Sequence, residues 1–123
     1  MPKAWRWMMR RDELSPGAQQ VVRWMKRHAK EPCRSHSQLV TEAGEAATAV
    51  SEALGFLSSE RKLYSATDPD PVRANGFIRA YGGDTIFYRY CADPEAFDAK
   101  IRKLRPEDYR AGEKKWRTIW AWC

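Results

Sequence analysis

Between residues 16 and 29, apolar side chains recur at Ala18, Val21, Val22, Met25 and Ala29. Intervals of three and four residues place them on one stripe of a helix. Ser15-Pro16 is a start signal for it: serine accepts from an orphan N–H, and proline suits the first helical position. Pro32 is expected to end it. A second helix is predicted from Ser35-His36-Ser37-Gln38, which reads as a capping box. Leu39, Val40 and Ala43 form its apolar face, and Gly44 stands where a left-handed residue closes a helix. A third helix is predicted from about Glu45 to Glu60, with Ala46, Val50, Ala53, Leu54 and Leu57 as its buried stripe.

After Arg61-Lys62 the pattern turns strand-like. Leu63 to Thr67 reads as a short strand. Phe77–Tyr81 and Thr85–Tyr90 flank Gly82-Gly83-Asp84 and read as a β-hairpin. Asp93-Pro94 starts a fourth helix with Phe97, Ile101 and Leu104 on one side. Pro106 starts a last one carrying Tyr109, Trp116, Ile119 and Trp120.

At 123 residues the chain fits one domain. No apolar run approaches the roughly 20 residues of a membrane span, and the N-terminal stretch lacks the apolar core of a secretory signal. Cys33, Cys91 and Cys123 are too few and too widely spaced for a disulfide framework. The expectation is a soluble, cytoplasmic protein with Cys33 and Cys91 as core or boundary residues. The formal net charge of +6 suggests a polyanionic partner. Its distribution is uneven: residues 1–34 hold nine basic and three acidic side chains, while residues 35–66 hold two and four.

The order helix, short helix, glycine turn, helix, strand, hairpin resembles the winged helix-turn-helix family. The residues carrying the resemblance are Gln38-Leu39-Val40-Thr41-Glu42-Ala43-Gly44 followed by Glu45 to Leu57. Two helices must cross closely at the turn, and the second must bury one face while offering the other to a DNA groove. The resemblance implies an α+β, mostly helical fold with a three-helix core, a β-hairpin wing at 77–90 and extra C-terminal helices. Residues 1–14 would be a basic, aromatic arm or helix, 15–91 the core, and 92–123 an extension for packing or dimerisation. It also implies a function, binding of double-stranded DNA, and with the chain's small size the expectation is a prokaryotic, phage or plasmid transcriptional regulator.

On that reading Thr48, Ser51, Glu52 and Ser59 are the outward candidates of the recognition helix. Arg10, Arg11, Arg23, Lys26, Arg27, Arg34, Arg61, Lys62, Arg73 and Arg79 are candidates for phosphate contact. Six such contacts would give a log–log salt slope of about −5. The predicted recognition helix departs from the family's habit. It has no Arg or Lys before Arg61, and it carries Glu45, Glu52 and Glu60, whereas arginine to guanine is the commonest specific contact.

Trp24 is expected to flank the core. Trp5, Trp7, Trp116, Trp120 and Trp122 lie in the terminal segments, where intramolecular packing or a homodimer interface built on Trp116, Ile119 and Trp120 is favoured over base stacking or membrane insertion. His28, Cys33, His36 and Cys91 match no standard zinc spacing. No nucleophile–base pair and no phosphate-binding glycine loop is present, so neither enzyme nor cofactor chemistry is expected. Two rival readings stay open. One is a protein-binding winged-helix adaptor, or a phage-encoded inhibitor of anti-CRISPR-like character, acting through the acidic helix. The other is single-strand or RNA binding through the Trp/Arg-rich termini.

Overall fold

The computed structural model describes residues 13–67, 69 and 85–103. Four helices and three strands follow in the order α1 (Pro16–Arg27), β1 (Arg34–Ser35), α2 (His36–Ala43), α3 (Ala47–Ser59), β2 (Leu63–Ala66), β3 (Phe87–Tyr90) and α4 (Pro94–Arg102). The class is α+β and mostly helical. The strands form one antiparallel sheet in the order β1-β3-β2. No described helix is long and apolar enough to cross a membrane.

Local chemistry sets most boundaries. The Ser15 hydroxyl accepts from the Ala18 N–H at 3.2 Å, and Pro16 opens α1. At α2 both halves of the capping box form: Gln38 N–H donates to Ser35 Oγ, and Ser35 N–H donates to Gln38 Oε1. Gly44 closes α2 in the left-handed region, with φ of 69°. Asp93 caps α4 by accepting from the Ala96 N–H. The end of α3 follows a Schellman pattern, with Lys62 N–H donating to Leu57 O and Arg61 N–H to Ser58 O. The left-handed position there holds Arg61, with φ of 55°, where glycine is usual. A side chain in that region costs roughly 1 kcal/mol.

The sheet separates two buried layers. On one side α1, α2 and α3 enclose Leu14, Ala18, Val21, Val22, Met25, Leu39, Val50, Ala53, Leu54, Phe56 and Leu57, with Leu63, Tyr88 and Tyr90 of the sheet packed against them. The alternate strand positions face the other way. There Tyr64 meets Phe97 of α4 edge to face at 4.9 Å and donates to Asp98, and Arg89 lies 5.2 Å over the Phe97 ring. Phe97 and Ile101 are fully buried. α4 is thus part of the packing around the sheet.

Several boundaries differ from expectation. α1 stops at Arg27 rather than running on toward Pro32, and Ala29 lies beyond it, half-buried. His28 stacks on Trp24 and pairs with Glu31, which folds residues 28–31 into a turn. α3 begins at Ala47; Ala46 is its exposed N-cap, and Ala49 and Phe56 join the buried stripe. Leu14, assigned to the arm, is buried in the core. The strand expected over 85–90 covers 87–90, and its described partners are β2 and the unforeseen β1. Cys33 and Cys91 are buried. The first hairpin strand at 77–81, the last helix, Arg10, Arg11, Arg73, Arg79, Trp116, Ile119 and Trp120 lie outside the described residues.

Candidate nucleic-acid interface

α3 turns a wide apolar arc to the core, leaving Ala47, Thr48, Ser51, Gly55 and Ser58 exposed. These positions fall on one side at about 100° per residue. None is charged and none is large. The space beyond Gly55 is open: a Cβ added there would meet nothing within 4 Å. His36, at the start of α2, shares a hydrogen bond with Ser51 Oγ at 2.9 Å. Together with the left-handed turn at Gly44, this contact sets α3 against α2.

Two of the three carboxylates expected to make this helix acidic are directed elsewhere. Glu52 Oε2 accepts from the Ser15 N–H at 2.7 Å. Glu45 precedes α3, and its Oε2 lies 3.0 Å from where a Gly17 Cβ would stand. Both therefore sit at the N-terminal end of α1, where the helix dipole favours negative charge. Glu60 is the C-cap of α3. The expectation of an acidic outward face is corrected accordingly: the centre of that face is neutral.

Other candidates prove to be engaged within the chain. Ser59 is half-buried and its hydroxyl donates to Phe56 O at 2.8 Å, a back-bond to its own helix. Lys62 Nζ donates to Ala92 O at 2.8 Å. Arg61 is exposed. It borders a cleft of about 510 Å³ between the end of α3 and the start of α4, where Glu60, Asp93 and Glu95 offset the two basic side chains.

Arg34 is removed from the phosphate-contacting set. Its side chain is 16% exposed, it bonds Glu31 at 2.5 Å and Glu42 at 2.9 Å, and its guanidinium lies 4.7 Å over the Trp24 ring. The Glu31 carboxyl is held below the usual carboxylate range, first by the Arg34 hydrogen bond and then by that of His28. His28 Nδ1 approaches Glu31 at 2.5 Å, and the His28 ring stacks on Trp24 at 4.1 Å. Trp24 is accordingly half-buried at the core's margin.

Arg23, Lys26 and Arg27 remain exposed on α1, and Lys30 follows in the turn after it. None of the four has an ion-pair partner among the described residues. Arg23 and Arg27 lie roughly opposite the stripe Ala18, Val21, Val22 and Met25 on the helical wheel. That stripe faces α3 within the core. Thr48 and Ser51 thus lie on the outward side of α3, and Arg23 and Arg27 on the outward side of α1, the two helices meeting through their buried stripes.

Sequence reasoning missed Arg89. It occupies a strand position 3% exposed and donates to Ala29 O, which ties β3 to the turn after α1. Alternation within 87–90 was the available signal, since Arg89 shares a strand face with Phe87. Among the described residues no group of three His, Cys, Asp or Glu side chains is placed to hold a metal. No family model matches the chain, and no curated protein or solved structure matches it either.

Proposed function

We propose that the chain is a DNA-binding protein of the winged helix-turn-helix type, which presents the outward face of α3 to the groove of a duplex. The observation that carries this reading is topological. Helix, strand, two helices joined through a left-handed glycine, then two strands in a β1-β3-β2 sheet is the arrangement such a domain requires. The composition of the α3 face adds to it. Small residues allow a helix backbone to come close to base edges, and the Thr48 and Ser51 hydroxyls are suited to contact them. Glu45 and Glu52 turn toward α1, which leaves the centre of the outward face without the carboxylates that a protein-binding adaptor or inhibitor reading relies on.

Fluorescence anisotropy with a labelled duplex tests the proposal. Affinity is expected to fall as salt rises from about 50 mM to about 200 mM, with Arg10, Arg11, Arg73 and Arg79 as the remaining phosphate candidates for this duplex. Thr48→Glu combined with Ser51→Glu places two carboxylates on the face and is expected to weaken binding by tenfold or more, about 1.4 kcal/mol. Absence of wild-type binding at every salt concentration overturns it.

A further inference from the structure

We infer that the α1 ridge of Arg23, Arg27 and Lys30 is a second phosphate-binding surface, which lets one chain join two DNA segments. The inference rests on the DNA-binding reading and deepens it. Its basis is the separation of charge from the groove-facing helix. The α3 outward face carries no charge, while α1 has no acidic residue along its whole length and displays its cations to solvent.

The carboxylate next to the ridge in the chain, Glu31, and one on each of the two neighbouring helices are engaged elsewhere. Glu31 pairs with His28 and Arg34, Glu42 with Arg34, and Glu52 with the Ser15 N–H. Lys26 lies 5.5 Å over the Tyr90 ring, at the flank of the ridge. Nothing among the described residues neutralises Arg23, Arg27 or Lys30, so the ridge presents a positive field to whatever approaches. A polyanion with regularly spaced charge is the partner that such a field selects.

Geometry makes this a second surface rather than an extension of the first. α1 and α3 bury facing stripes in one core, so their outward faces diverge. A straight duplex seated on α3 leaves the α1 ridge turned away from it. The ridge then meets the phosphates of another segment.

A bridging assay tests the inference: beads carrying one duplex are loaded with protein and offered a second, fluorescent duplex. The wild-type chain is expected to retain the second duplex. The variant Arg23→Gln/Arg27→Gln/Lys30→Gln changes only exposed positions. It should bind a single duplex within about twofold of wild type and retain the second at least about tenfold less. Its thermal unfolding, followed in parallel, should match wild type. Retention of the second duplex by the triple variant, as would follow from pairing of two chains, overturns the inference. So does a wild-type chain that binds one duplex and retains no second, or a triple variant that loses single-duplex binding in step. A wild-type chain that binds no duplex at all overturns the DNA-binding reading itself, a result distinct from the others.

Discussion

Alanine at Gly55 and alanine at Gly17 are the same covalent change, yet the structure gives them opposite effects on stability. Gly55 lies inside α3, exposed, with no atom within 4 Å of the added Cβ. Only helix propensity and unfolded-state entropy act there, and both favour alanine, by about 0.5–1 kcal/mol. Gly17 lies in the first turn of α1, where the propensity gain is smaller. Its added Cβ would stand 3.1 Å from the Ala49 Cβ and 3.0 Å from Glu45 Oε2. The Glu45 carboxylate can swing aside at little cost, but the Ala49 methyl is held on a packed helix. Overpacking costs about 1–3 kcal/mol, so Gly17→Ala is expected to be net destabilising by roughly 1 kcal/mol. Urea titration monitored by far-UV circular dichroism, with the slope unchanged, separates the two. The midpoint should rise for Gly55→Ala and fall for Gly17→Ala, and the melting temperatures should shift a few degrees in the same senses. A Gly55→Ala chain less stable than wild type would refute the reasoning, because it would mean the α3 face is covered in the free protein. Gly55→Trp adds a functional arm: it should stay folded and lose duplex binding.

Ser35→Ala removes one half of the α2 capping box and is expected to cost about 1 kcal/mol in the same titration. Phe97→Ala, at a fully buried ring between Tyr64 and Arg89, is expected to cost about 3–5 kcal/mol; a cost below about 1 kcal/mol would show α4 to be a dispensable appendage. The Glu31 pairing is read by pH. Because the folded-state pKa is depressed, its contribution is present above the unfolded pKa and lost as pH falls through the lower folded value. With Glu31 44% exposed, solvent screening holds that contribution below about 1 kcal/mol, and Glu31→Gln should flatten the acid limb of the stability profile by that amount.

Three helix starts and one helix end were legible because their signals are local. Ser15-Pro16, Ser35 with Gln38, Gly44 and Asp93-Pro94 each act within four residues, and each is found where the sequence puts it. The strand β1 was not legible. Two residues carry no alternation, and their partners at 87 and 88 stand far along the chain. The end of α1 was missed for a related reason: the Trp24–His28 stack and the His28–Glu31 pair depend on side-chain geometry that outweighs a favourable spacing at Ala29. At the candidate site, Thr48 and Ser51 followed from helical phase. The engagement of Glu52 with Ser15 and of Arg34 with Glu31 and Glu42 did not, because charge counted along a sequence carries no direction.

Ser35 ends β1 and caps α2 at once. A strand of two residues is too short to fix its own alignment by the pattern of its side chains. Moving it one step along β3 would exchange the buried Ser35 with Arg34 and pull the hydroxyl away from the Gln38 N–H. The alignment of the sheet's edge is therefore stored in a helix cap. Damage to that cap should be felt at Phe87 and Tyr88, more than fifty positions downstream, as loss of amide protection in hydrogen exchange.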